Sequence, residues 1–228
     1  MTWKSKFIVF LLFFFTCGIS IAAFEDVTTF TKGGSQSADF NITDQQRSVH
    51  SSLADNDQAH VYKDYGVDSF CDGLDVRFKQ DVNVQGSGSY IHYLSLANVI
   101  GEEDNWATDG YGLSVGFKRS GTDGVFLVDI SDGSIDIHAA AAYDDHYIIV
   151  ERAGTTFSAK IYTDDTLAVL QDTLTTTGTD TDFRYLYLGA TRDTAGGNSS
   201  DAAGETEYIT ISDDGCAAAS ARRIIMTY

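Results

Sequence analysis

The stretch Tyr143–Arg192, YDDHYIIVERAGTTFSAKIYTDDTLAVLQDTLTTTGTDTDFRYLYLGATR, decides the fold class. His146–Arg152 is rich in β-branched and aromatic residues, and Ala153-Gly154-Thr155 supplies a tight reversal in which glycine takes the positive φ. Phe157–Tyr162 then alternates, with Phe157, Ala159 and Ile161 on one side and Ser158, Lys160 and Tyr162 on the other. A period of two marks a strand with one face on a core. Asp164-Asp165 ends it, Leu167–Leu174 forms another segment, and a Thr/Gly/Asp cluster precedes the aromatic strand Phe183–Leu188. Helical spacing is absent, so the unit reads as an antiparallel meander.

The same patterning extends outward. Leu74–Val84 places Leu74, Val76 and Phe78 opposite Asp75, Arg77 and Lys79, the alternation of a sheet packed on one face. Phe24–Phe30 reads as a first strand, Lys32–Ser37 as a Gly/Ser turn, and Asp39–Thr43, Arg47–Ser51 and His60–Lys63 as short strands. Tyr90–Leu96 leads into a long loop from Asn98 to Gly110. Tyr111–Arg119 and Gly124–Ile130 follow as a hairpin, then Ser134–Ala139, the meander and a last strand Glu207–Ile211. About a dozen strands with no helix between them predict an all-β sandwich of two antiparallel sheets in a single domain.

The quoted segments also resemble a known family. The run Val150–Gly154, the turn, Ile161-Tyr162-Thr163-Asp164 and the later Tyr185-Leu186-Tyr187 are similar to the second half of concanavalin A-like (LamG-type) jelly-roll domains. Asp55–Gly66 (DNDQAHVYKDYG) and Gly73–Val84 (GLDVRFKQDVNV) resemble the first half, and the similarity spans roughly Phe24 to Asp213. The resemblance implies a concanavalin A-like jelly-roll sandwich, a fold that hosts both lectins and glucanases.

The ends differ from this domain. Lys4 and Lys6, the apolar run Phe7–Phe15 and Ser20-Ile21-Ala22 have the layout of a cleaved signal peptide over residues 1–22. The apolar run falls short of the roughly 20 residues of a spanning helix. Export leaves the domain at 23–214 and a tail at 215–228, whose Ile224–Tyr228 reads as a docked end or as a strand added to a neighbouring subunit. The chain carries 33 acidic and 15 basic residues, a net charge of −18, and loss of Lys4 and Lys6 takes it to −20. Such a surface repels phosphates and anionic lipid, so nucleic-acid and membrane partners are not expected. In an exported chain the two cysteines beyond Cys17, Cys71 and Cys216, are expected as a disulfide, because a jelly roll sets early and late strands side by side.

Catalysis finds little support. The Glu-x-Asp-x-x-Glu strand of retaining glucanases holds two glutamates on one face, and the near match at Glu102–Ala107 lacks the terminal glutamate. Glu205 and Glu207 share a face near the last strand without a third residue, and no Ser-His-Asp order, P-loop or His/Cys metal spacing is present. A saccharide site needs aromatic rings with amide and carboxylate groups beside them. Asp104, Asn105, Trp106, Asp109 and Tyr111 concentrate these in the long loop, with Tyr90 and His92 on the strand before it. The competing reading makes Trp106 a plug at the sandwich edge. Lectin-like domains often hold calcium where first and last strands meet, which for this chain implies Glu25, Asp26 and Asp213, with Asp104 and Asp109 as the alternative. Sequons at Asn41 and Asn198 fit surface loops. The expectation is a secreted, non-catalytic carbohydrate- or surface-ligand-binding module; the alternatives are a self-assembling extracellular subunit and a divergent glycoside hydrolase.

Overall fold

The computed structural model describes residues 23–35, 37–53, 59–67, 69–70, 73–84, 89–101, 103–109, 111–120, 122–130, 133–140, 144–178, 183–191 and 202–213. Residues 1–22, both cysteines Cys71 and Cys216, the sequon at Asn198 and the tail at 215–228 lie outside them.

The described chain forms β1 (Thr31–Gly33), β2 (Phe40–Asp44), β3 (Arg47–Leu53), β4 (His60–Asp64), β5 (Leu74–Val84), β6 (Ser89–Ala97) and the helix α1 (Glu103–Asp109). After α1 come β7 (Gly112–Ser120), β8 (Thr122–Asp129), β9 (Ile135–Ala139), β10 (Asp145–Ala153), β11 (Thr156–Tyr162), β12 (Leu170–Thr177), β13 (Tyr185–Thr191) and β14 (Ala202–Asp213). One seven-stranded sheet runs β1-β4-β13-β6-β7-β8-β9 and the other β12-β11-β10-β5-β14-β3-β2. The result is an all-β jelly-roll sandwich, and β14 lies between β3 and β5, so early and late strands are neighbours.

The alternation seen in the sequence places the core. Val76, Phe78, Ile148, Val150, Phe157, Ala159 and Ile161 of the second sheet meet Val61, Leu94, Leu96, Val115, Phe117, Leu127 and Leu186 of the first. Each such side chain removed from water contributes on the order of 1.5–3 kcal/mol for the larger residues. In the β10–β11 hairpin Ala153 pairs with Thr156, and Gly154 takes φ +62° at the two-residue turn. The meander stops at β12. The aromatic strand crosses to the first sheet between β4 and β13's other neighbour β6, because both of its faces are buried: Leu186 and Leu188 in the sandwich, Tyr185 and Tyr187 on the far side.

Two further elements differ from expectation. Phe24–Phe30 is not a strand; Val27–Thr29 is a 3-10 turn capped by Asp26, while Phe24 makes a lone bridge to Thr210. Val27 and Phe30 anchor that turn in the core. The first strand instead begins at Thr31 and runs into the stretch that reads as a Gly/Ser turn. Gly33 belongs to this strand because the His60 ring lies against it: a Cβ there would stand 2.1 Å from Nε2.

A polar row interrupts the apolar interior. Thr206 of β14 pairs across to Ser48 of β3 and Gln80 of β5, and all three are buried. Thr206 Oγ1 donates to the Tyr93 carbonyl at 2.9 Å. His50, two residues along β3 from Ser48, meets the Tyr93 ring edge-on at 5.4 Å.

Candidate ligand-binding site

The connection between β6 and β7 is an excursion closed at its base. Asn98 donates its N–H to the Tyr111 carbonyl at 3.2 Å, and its Oδ1 accepts from the Tyr111 N–H at 2.7 Å. Between these clamps the chain does not form an open loop; it folds α1 back over the outer face of the first sheet. Trp106 is the reason. Its indole is fully buried, 4.8 Å from the Tyr187 ring and 5.8 Å from His92. Gly112 makes the approach possible, since a Cβ there would sit 2.9 Å from that of Trp106. Tyr187 ties down the descending chain as well: its hydroxyl donates to Val99 O at 2.9 Å and accepts from Gly101 N at 3.2 Å. Burial raises the Tyr187 phenol above its ordinary range, so it stays a neutral donor.

Beneath Trp106 the sheet carries a polar chain. His92 Nδ1 is 2.7 Å from Ser114 Oγ, which is 2.7 Å from Ser95 Oγ, and all three residues are buried. Around it Phe126, Val128, Tyr185 and Ala97 complete an apolar layer. The helix is therefore a cover held by an aromatic basin.

The predicted ligand residues divide accordingly. Trp106 and His92 have no face to offer a ligand, which corrects their assignment as saccharide contacts and makes Trp106 the plug. Tyr111 is 38% exposed at the base of the excursion and Asn105 is half-buried, packed against Gly101. The side chains of Asp104, Asp109 and Tyr90 lie outside the described residues. What the rim presents is Tyr111, Asn105 and Ile100, the last 48% exposed.

The residues implied for calcium do not converge. Glu25 Oε2 is 2.8 Å from both Lys63 Nζ and Tyr65 Oη, and Asp26 Oδ1 accepts from Thr28 N at 3.0 Å as a cap. The antiparallel bridge Phe24–Thr210 also runs the backbone at Glu25 and Asp26 away from that at Asp213, by roughly 13 Å for Glu25 and roughly 16 Å for Asp26 at about 3.3 Å per residue. Among the described residues no group of three or more His, Cys, Asp or Glu is placed to hold an ion. Glu25 and Asp26 are thus already engaged, by Lys63 with Tyr65 and by Thr28.

The glutamate pair on β14 faces outward from the second sheet. Lys79 Nζ is 3.0 Å from Glu207 and 3.1 Å from Asp145, while Arg47 Nη1 is 3.2 Å from Glu205. Desolvation, and then the neighbouring Glu207 charge, raises the Glu205 carboxyl. Each glutamate is thus tied to its own cation on the outer face of a sheet. Asn41 is exposed on the edge strand β2, its Oδ1 accepting from Thr43 N at 3.1 Å and Thr43 Oγ1 at 2.8 Å.

Sequence reading passed over two residues that the fold brings together at the surface. Phe24 and Tyr208 are 52% and 43% exposed with ring centroids 5.8 Å apart. The predicted strand Glu207–Ile211 includes Tyr208 but not its outward turn, which comes from a break in alternation: Thr206 and Ile209 are both buried although they stand three apart, which a plain strand does not allow.

No protein-family model matches the sequence, nor does any curated protein. Solved structures share the architecture at low identity. A functionally unknown protein from Saccharomyces cerevisiae aligns at TM-score 0.55 and 10% identity, covering 82% of this chain and 97% of its own. The basic winged bean lectin with Tn-antigen aligns at 0.53 and 8%, covering 85% and 97%. The exoplasmic/lumenal domain of VIP36 in its Ca2+/Man3GlcNAc-bound form aligns at 0.50 and 9%, covering 85% and 88%. The fold is the concanavalin A-like jelly roll.

Proposed function

We propose that this chain is an exported, non-catalytic module that binds carbohydrate through the rim of its sandwich. The observation that carries the reading is the β6–β7 excursion. A buried tryptophan fixes it, and it leaves Tyr111 exposed at its clamped base and Asn105 half-buried on the helix. An aromatic and an amide group carried on a fixed excursion lose little conformational entropy when a sugar docks. The fold supports the same reading, since the solved neighbours include a lectin with Tn-antigen and a domain with bound Man3GlcNAc. Against catalysis stands the ion pairing of Glu205 and Glu207, which leaves neither carboxyl free as nucleophile or acid. Calcium enters through the fold alone, because Glu25, Asp26 and Asp213 diverge; any ion would draw on other carboxylates.

Export brings the disulfide and the Asn41 glycan into the same reading. Leu74 opposes Asp213 across β5 and β14. Cys71 stands three residues before the one and Cys216 three after the other, equal offsets from one rung. Mass spectrometry of the non-reduced, alkylated protein is expected to find these two cysteines linked; two alkylated thiols refute the bridge.

The functional test is a glycan array with the mature protein. Binding is expected, and Tyr111→Ala together with Asn105→Ala is expected to weaken it at least tenfold. An array on which the wild-type protein is silent removes the carbohydrate reading.

A further inference from the structure

We propose that Phe24 and Tyr208 form a second contact surface, a stacking platform for a neutral pyranose at the junction of the chain's first described residues with its last strand. The inference rests on the carbohydrate reading but not on the Tyr111 rim. Its geometry begins with a bulge. The register of β14 shifts between Glu207 and Thr210, and Tyr208 takes φ +55° there. A bulky residue in the left-handed region costs about 1–2 kcal/mol, and a bulge of this kind re-aims a side chain. In this case it turns an aromatic ring outward.

The ring does not swing free. Tyr208 N donates to Gln46 O at 2.9 Å, holding β14 to the β2–β3 turn, and Glu25 N donates to Ile209 O at 2.7 Å, holding Phe24 alongside. The two rings stand 5.8 Å apart with planes inclined at 56°, so they line a shallow notch rather than stacking on one another. Hydrogen-bonding groups border it. Gln45 and Gln46 are exposed on the adjoining turn, and Arg47 follows with its guanidinium between Asp44 and Glu205. Apolar faces with amide, guanidinium and carboxylate groups beside them are the complement of a sugar ring, whose C–H face is apolar and whose edge is all hydroxyl.

Area selects the occupant. Phe and Tyr each bury about 150–250 Å² when fully covered, so two half-exposed rings offer roughly 200 Å² together. A stable protein partner needs about 800 Å² per side. The net charge of −18 disfavours acidic polysaccharides and anionic lipid, which leaves a neutral sugar.

The test uses the whole mature chain and three variants, Phe24→Ala, Tyr208→Asn and Tyr111→Ala, titrated with neutral gluco-, manno- and galacto-oligosaccharides. Asparagine tolerates the left-handed backbone, so Tyr208→Asn is expected to melt at or above the wild-type temperature. Both platform variants are expected to lose at least tenfold in affinity for the sugar that the wild type binds. A wild type that binds while both platform variants stay within twofold of it overturns the platform and leaves the Tyr111 rim standing. A wild type that binds none of the oligosaccharides overturns both. A wild-type dimer that Tyr208→Asn converts to monomer also overturns the platform, since a second copy then occupies it.

Discussion

His50 shows how one residue couples the interior to pH. Its ring is fully enclosed, facing Phe40 at 5.8 Å and Tyr93 at 5.4 Å, and burial pushes its pKa down to about 3. The folded protein therefore holds this imidazole neutral, whereas the unfolded chain protonates it near the ordinary value of 6.5. A depressed histidine destabilises the fold as pH falls: the loss begins near 6.5 and continues to about 3, at up to about 1.4 kcal/mol per pH unit. His146, lowered chiefly by burial, acts in the same direction. Glu205 and Asp81, both raised by desolvation, act in the opposite one, since the fold favours their protonated forms. The His50 share is isolated by substitution. Urea unfolding of wild type and His50→Leu at pH 7 and pH 4.5 is expected to show the wild type losing more, by about 1 kcal/mol per unit of pH. Equal slopes for the two proteins refute the account.

At the scale of elements, α1 and β14 show what a period of two conveys and where it stops. Strands β5 and β11 have the inward and outward residues that alternation assigns, down to Leu74, Val76 and Phe78 against Asp75, Arg77 and Lys79. The hairpin at Gly154 was equally legible, because glycine there meets a local backbone demand. The helix was not. Seven residues, Glu103–Asp109, carry too few apolar positions to show a helical face, and the helix exists because Trp106 finds a basin built by Tyr187, His92 and Gly112, distant in sequence. The platform at Tyr208 was not legible: Glu207–Ile211 reads as a plain strand, and where the ring goes depends on a bulge and on Gln46 and Ile209 backbone groups. This account makes Trp106 an organiser of stability. Trp106→Ala is expected to cost about 3–5 kcal/mol, as large buried aromatics do. Thermal or denaturant melts measure it, and a loss below about 1 kcal/mol sends the indole back to the surface as a ligand contact.

The whole molecule is governed by an imbalance of charge that its local pairs cannot cancel. Across the outer face of the second sheet run Lys160–Glu151 at 2.6 Å, Arg77–Asp75 at 2.7 Å, Lys79–Glu207 at 3.0 Å and Arg47–Glu205 at 3.2 Å. The exposed pairs among them contribute about 0–1 kcal/mol each, and salt weakens them; Lys79–Glu207 is largely buried and is screened less. Fifteen basic residues cannot neutralise 33 acidic ones. The unmatched carboxylates repel one another across the sandwich, and that repulsion favours the expanded chain. Salt thus acts on two opposed effects, and their sizes decide the sign. Pairs worth a fraction of a kcal/mol lose less than the net charge regains once the Debye length falls from about 30 Å at 10 mM to a few ångströms near 1 M. The melting temperature is expected to rise with NaCl over that range, each kcal/mol regained appearing as about 2–4 °C for a domain of this size. Calcium chloride matched in ionic strength separates screening from binding: an additional rise, removed by chelator, requires a specific ion, and a curve that coincides with the NaCl one requires none. A melting temperature that falls with salt makes the ion-pair rows, not the surplus carboxylates, the dominant electrostatic feature of the fold.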